Sequence, residues 1–152
     1  MAKIFEDHFS ELQADMVSIC LEYVSGKADK IFIYSSCENS TIASDFFYSI
    51  DGNIVERHKL NSLNTNGIHY DTSNDRQFAA LGIINGNMKK IAELCKLHER
   101  ENPTEIKLIY DVGKNSLNAN YRYDSIHSED IEKTGTDIAE EWFKELASQS
   151  EY

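Results

Sequence analysis

Thr41-Ile42-Ala43-Ser44-Asp45-Phe46-Phe47-Tyr48-Ser49-Ile50-Asp51-Gly52-Asn53-Ile54-Val55-Glu56-Arg57-His58-Lys59 is the stretch on which the reading of the fold turns. Asp51-Gly52 is the dipeptide best suited to a two-residue type I′ turn, whose central residues both need positive φ. It predicts that Thr41–Ile50 and Asn53–Lys59 are antiparallel strands. The register set by that turn puts Tyr48 opposite Val55, with Phe46 and Ile50 on the same face as one layer of a core. The same register lays His58 across from Asp45.

Working back from the hairpin, Lys30-Ile31-Phe32-Ile33-Tyr34-Ser35 is β-branched and aromatic and reads as another strand, with Cys37-Glu38-Asn39-Ser40 as the turn into Thr41. Before it, Phe5, Phe9, Leu12, Met16, Ile19, Cys20 and Tyr23 step by fours and threes, the spacing of one helical stripe. A helix is expected over Lys3–Ser25, stopped by Gly26.

Working forward, Asn61–Asn74 is mostly Asn, Ser, Thr, Asp and Gly and predicts a long surface loop, a secondary candidate for contact with a partner. Asn74 or Asp75 suits the cap of a helix running to about Glu99 with Phe78, Leu81, Ile84, Met88, Ile91, Cys95 and His98 on its stripe. Gly82 and Gly86 inside it each cost about 1 kcal/mol relative to Ala, which predicts a close backbone approach as compensation. After Asn102-Pro103, Glu105–Val112 and Leu117–Tyr123 read as a second hairpin. A terminal helix begins near Ser128 or near Thr136, with Ile138, Trp142 and Leu146 on one face. The fold class is therefore α+β, an antiparallel sheet of about five strands with helices in the order α-βββ-α-ββ-α.

The 152 residues make one ordinary domain, 1–152, with 41% hydrophobic residues and no Pro/Gly/Ser-rich linker. No basic, apolar signal segment opens the chain and no long apolar run follows, so a cytoplasmic protein without a membrane segment is expected. Cys20, Cys37 and Cys95 form no CxxC pair and predict reduced thiols, with neither disulfides nor a zinc site.

Charge narrows the partners. Against 15 basic residues stand 26 acidic ones, a formal net of −11. Direct nucleic-acid or anionic-membrane binding is disfavoured, since both draw affinity from clustered Lys and Arg. From Asp124 to Tyr152 there are nine acids against Lys133 and Lys144, so seven of the eleven net charges lie in the last 29 residues. Such a field suits solubility, and it equally suits the steering of a basic partner.

No HExxH, GxSxG, P-loop, GxGxxG or EF-hand pattern occurs, and no cofactor is implied. Asp45 and His58 would form a general-base pair on paper, the basis of a small-hydrolase reading, although a cross-strand ion pair is the simpler account. Glu140 and Glu141 point about 100° apart on a helix and do not converge on one reacting atom. The protein is thus read as a binding protein and not an enzyme.

Three segments carry a resemblance. They are Lys30-Ile31-Phe32-Ile33-Tyr34 with Asp45-Phe46-Phe47-Tyr48; the Asn102-Pro103 break with Ile106-Lys107-Leu108-Ile109-Tyr110; and Asn120-Tyr121-Arg122-Tyr123-Asp124 followed by an acidic segment containing Trp142. Over about Val17 to Trp142 the chain resembles the YezG-like bacterial immunity proteins, small acidic antitoxins that neutralise secreted nuclease toxins in bacterial competition. The resemblance implies inhibition by occlusion, the acidic protein competing with nucleic acid for the toxin's lysines and arginines. It points to Tyr121, Tyr123, Asp124 and Trp142 as contacts with the cognate basic toxin domain. Charge alone adds Glu129, Asp130, Glu132, Glu140 and Glu141. Trp142 also fits the core, at steps of four from Ile138 and Leu146. An alternative of another class is an acidic class I type III secretion chaperone, which has a comparable helix–three-strand–helix–strand–helix order and holds an effector segment along a homodimer.

Overall fold

The computed structural model describes residues 4–38, 41–63, 69–123 and 135–149. Helix α1 spans Phe5–Tyr23, strand β1 Lys30–Glu38, β2 Thr41–Ile50 and β3 Asn53–Glu56. A 3-10 turn over Arg57–Ser62 follows, then α2 (Asn74–Leu97), β4 (Glu105–Asp111), β5 (Ser116–Arg122) and α3 (Gly135–Gln149). The expected α+β class and order α-βββ-α-ββ-α are therefore observed. The strands form one sheet in the order β3-β2-β1-β4-β5, every neighbouring pair antiparallel.

The hairpin that decides the fold forms as its turn chemistry dictates. Asp51 and Gly52 have φ of 51° and 81°, and Tyr48 pairs with Val55. Asp29 fixes the turn by accepting from the Gly52 N–H at 3.1 Å. The return strand is shorter than expected, because the chain leaves the ladder at Glu56 and coils into the 3-10 turn. The β1 strand is longer: Cys37 and Glu38, expected in a turn, pair with Ile42 and Thr41.

Strand β1 is buried along nearly its whole length, which explains its unbroken run of apolar residues. Side chains alternate across a strand, so β1 feeds two cores at once. Ile31 and Ile33 join Phe46, Tyr48, Ile50, Val55, Ile106 and Leu108 under α1 and α2. Phe32, Tyr34 and Phe47 point the other way and pack on Ala139 and Trp142 of α3. The result is a sheet with two helices on one face and one on the other. The Tyr48 hydroxyl ties sheet to helix by donating to the Cys20 carbonyl at 2.6 Å inside the larger core.

Both long helices end in a Schellman motif. Gly26 N–H donates to the Leu21 carbonyl and Ser25 N–H to Glu22, at 2.9 and 3.0 Å; Arg100 and Glu99 donate likewise to Cys95 and Lys96, at 2.8 and 3.2 Å. The residues forced to positive φ are Ser25 and Glu99, at 52° and 55°. The stop expected at Gly26 is real, one residue beyond the strained position. The cap of α2 is Ser73, whose Oγ accepts from the Arg76 N–H at 3.4 Å, in place of Asn74 or Asp75. Gly82 and Gly86 do not compensate by close approach, since a Cβ added at either would meet nothing within 4 Å. Phe78 leaves the core stripe and is 69% exposed. Of the expected surface loop, Asn61 clamps Tyr70 by two hydrogen bonds, to its carbonyl at 2.8 Å and from its N–H at 2.7 Å. Residues 64–68 and the alternative helix start at Ser128 lie outside the described residues. No helix among the described residues is long and apolar enough to cross a membrane.

Candidate functional site

The fold sets apart two surface features, one at each edge of the sheet. The first lies where the β2–β3 hairpin meets α3. Asp45, Phe46, Phe47, Glu56, Arg57, His58, Glu140 and Phe143 line a cleft of about 190 Å³. It exists because β3 ends early: the 3-10 turn carries Arg57, and not His58, up to Asp45, where the two form an ion pair. The Arg57 guanidinium sits 5.1 Å from the centre of the Phe46 ring, and Asp45 also accepts from the Phe46 N–H at 2.8 Å. His58 instead meets Glu56, with Nε2 3.5 Å from a carboxylate oxygen. The Asp45–His58 general-base pair is therefore not formed.

Burial pushes the Asp45 carboxyl above the ordinary aspartate range, and Arg57 beside it pulls only part of the way back. Among the described residues, no Ser, Thr or Cys lines this cleft as a nucleophile. Among the described residues no group of three or more His, Cys, Asp or Glu side chains is arranged to hold a metal ion. Burial pushes the Cys20 and Cys95 thiols up as well, which keeps them in the unreactive protonated form. What the cleft offers is carboxylates at its rim: Glu56, Glu140 and the partly neutralised Asp45.

The second feature is an aromatic groove of about 480 Å³ at the opposite edge, lined by Phe5, Phe9, Cys95, Arg100, Glu101, Pro103, Tyr121 and Tyr123. Phe9 meets the Tyr121 ring edge-on at 5.5 Å, and Gln13 Nε2 donates to the Tyr121 hydroxyl at 2.6 Å. Arg100 lies over the Phe5 ring at 4.2 Å and pairs with Glu6 at 3.0 Å. The sheet order puts four strand spacings, about 19 Å, between the two edges.

The residues singled out in the sequence fall accordingly in different places. Tyr121 and Tyr123 are exposed in the aromatic groove. Glu140 borders the acidic cleft, and Glu141 is exposed on α3. Trp142 takes the core place that its steps of four from Ile138 and Leu146 allowed, in preference to that of a contact: it is 7% exposed, with its ring 5.8 Å from Phe32 and 5.3 Å from Phe47 and Lys107 Nζ 5.2 Å from its centre. Burying that aromatic surface is what fastens α3 to the sheet. Asp124, Glu129, Asp130 and Glu132 lie outside the described residues. Glu56 and Arg57 entered the reading only as strand residues, and Phe5 and Phe9 only as core stripe. The sequence signal for the groove was the aromatic pair Tyr121 and Tyr123, which meets Phe5 and Phe9 there.

No protein-family model and no curated protein matches the chain.

Proposed function

We propose that the protein is an immunity protein, an antitoxin that binds a basic nuclease toxin domain and neutralises it by covering its nucleic-acid surface. The observation that carries this reading is the construction of α3. Its inner face is fastened by Trp142, while Glu140, Glu141 and Glu145 project from the outer side beside the carboxylate-rimmed cleft. Lys144 is the single basic residue of that helix, and it pairs with Glu140 at 3.6 Å. An exposed pair of this kind contributes little and opens readily to an incoming arginine or lysine. The charges that a nuclease uses to grip phosphates are those that this face attracts.

Replacing Glu140, Glu141 and Glu145 together with Ser should slow association with the basic domain encoded beside this gene by about tenfold or more at low salt. Folding stability should change little, because all three side chains are exposed. Stopped-flow association kinetics measure the effect. An unchanged rate would remove α3 as the docking surface.

The aromatic groove favours a second reading, a class I secretion chaperone that takes an apolar effector segment. That reading requires an obligate homodimer, so a stable folded monomer in dilute solution counts against it.

A further inference from the structure

The two edges of the sheet are protected very differently. Strand β3 is four residues long, ends in a 3-10 turn and lies beside α3. Strand β5 is seven residues long, Ser-Leu-Asn-Ala-Asn-Tyr-Arg, and is exposed at every position but the half-buried Ala119. It contains no proline and no lysine, and its register with β4 runs from Asp111–Ser116 to Glu105–Arg122 without a bulge. Proteins ordinarily blunt an open edge with such devices, because its outward N–H and C=O groups otherwise pair with another strand.

The sequence of β5 is symmetric in kind about its midpoint. Leu117 and Tyr121 stand two residues either side of Ala119, and Asn118 and Asn120 one residue either side. We propose that β5 pairs antiparallel with β5 of a second copy of this chain, about a two-fold axis through Ala119, making one continuous ten-stranded sheet.

The backbone has the parity that this register needs. Thr104 N–H donates to the Arg122 carbonyl at 2.7 Å, so Arg122 turns its carbonyl inward, towards the chain leading into β4. Alternation along an antiparallel ladder then leaves Leu117, Ala119 and Tyr121 with their peptide groups facing out. Those three are the residues the symmetric register brings face to face: Leu117 with Tyr121 of the second copy, Ala119 with Ala119, Tyr121 with Leu117. About six hydrogen bonds close the seam. Leu117 and Tyr121, each 40% exposed, become cross-strand apolar pairs on the face that carries the aromatic groove. On the other face Asn118 meets Asn120 amide to amide, with no like charges opposed.

A seam of seven residues a side is well below the roughly 20–30 of a standard stable interface, so the dimer is weak and concentration-dependent. Each copy also carries a net charge of −11, and the mutual repulsion is screened by salt. Dimerisation therefore strengthens with added salt, whereas attraction to a basic toxin weakens. The proposal stands apart from the antitoxin reading, and the opposite salt trends tell the two apart.

Analytical ultracentrifugation of the full chain, from about micromolar to about millimolar concentration, tests it. The expected result is a monomer–dimer equilibrium whose dimer fraction rises from low to high NaCl. Ala119→Pro removes an outward N–H that the β4 ladder does not use, a place where an edge strand tolerates proline. It should weaken dimerisation at least about tenfold with an unchanged circular-dichroism spectrum. Where that variant fails to fold, Ala119→Cys keeps the test. The axial residue faces its own copy at a Cα separation of about 5.5 Å and cross-links to it under mild oxidation, whereas Asn118→Cys does not. A monomer at every concentration and salt, dimerisation intact in folded Ala119→Pro, or equal cross-linking of the two cysteine variants would overturn the proposal.

Discussion

Two buried tyrosines on neighbouring strands show how much a single hydroxyl depends on what it meets. Tyr48 donates to the Cys20 carbonyl, while the buried Tyr34 hydroxyl lies close to Ser36 and Glu105 and makes no hydrogen bond of good geometry with either. A net hydrogen bond contributes about 1 kcal/mol, and a buried unpaired polar group costs about 1–3 kcal/mol. Tyr48→Phe should therefore lower the unfolding free energy by about 1 kcal/mol, and Tyr34→Phe should leave it unchanged or raise it. Urea denaturation of both variants measures the contrast; equal losses would contradict it. Asp45 gives a pH signature. An acid whose pKa is raised on folding binds protons as the chain folds, so its contribution favours the fold at acid pH and is lost as pH rises through the elevated value. Unfolding free energies of the protein and of Asp45→Asn should converge or cross in that sense, the protein losing ground to the variant as pH rises from its ordinary value of 3.8. A constant gap would show that Arg57 balances burial, and one that moves the other way that Arg57 outweighs it. None of this was legible beforehand, because Asp45 meets Arg57 only through the 3-10 turn that cuts β3 short. The register from Asp51-Gly52 was legible, since two adjacent residues determine it.

At the scale of elements, periodicity succeeded wherever side chains repeat on one face. Ile138, Trp142 and Leu146 do share the buried side of α3. Phe78 shows the limit: two successive steps of three, from Phe78 to Leu81 to Ile84, turn about 120° away from the stripe set by Ile84, Met88 and Ile91. At the helix ends Gly26 announced the first stop, but the left-handed positions proper are Ser25 and Glu99, and no glycine marks the second. The glycines sit instead at Gly82 and Gly86, inside α2, with open space around them. Moving glycine to where the backbone needs it should stabilise the fold. Glu99→Gly relieves a left-handed residue that costs about 1–2 kcal/mol, and Gly82→Ala restores about 1 kcal/mol of helix propensity. The two changes lie far enough apart to add. Thermal unfolding should show a higher Tm for each and the highest for both; a lower Tm for Gly82→Ala would reveal a contact that its surroundings do not show.

For the whole molecule, the concentration of acid after Tyr123 was visible in the sequence, but its relation to the sheet was not. Linear distance gives no hint that α3 returns over β1, β2 and β3, beside the edge opposite β5. Nor does it show that Tyr121 and Tyr123 face a groove at the sheet edge opposite the one beside α3, four strand spacings or about 19 Å across the sheet. Among the described residues, the expected contacts thus divide between an acidic edge, with Glu140 and Glu141, and an aromatic edge, with Tyr121 and Tyr123, while Trp142 is the bolt that holds the acidic helix on. The acidic edge is the proposed docking surface for a basic toxin. The most direct test is a titration of a basic nuclease domain, should one be encoded beside this gene, with the purified protein at low salt. Complete loss of cleavage is expected at about one equivalent. Full nuclease activity in the presence of excess protein would contradict it.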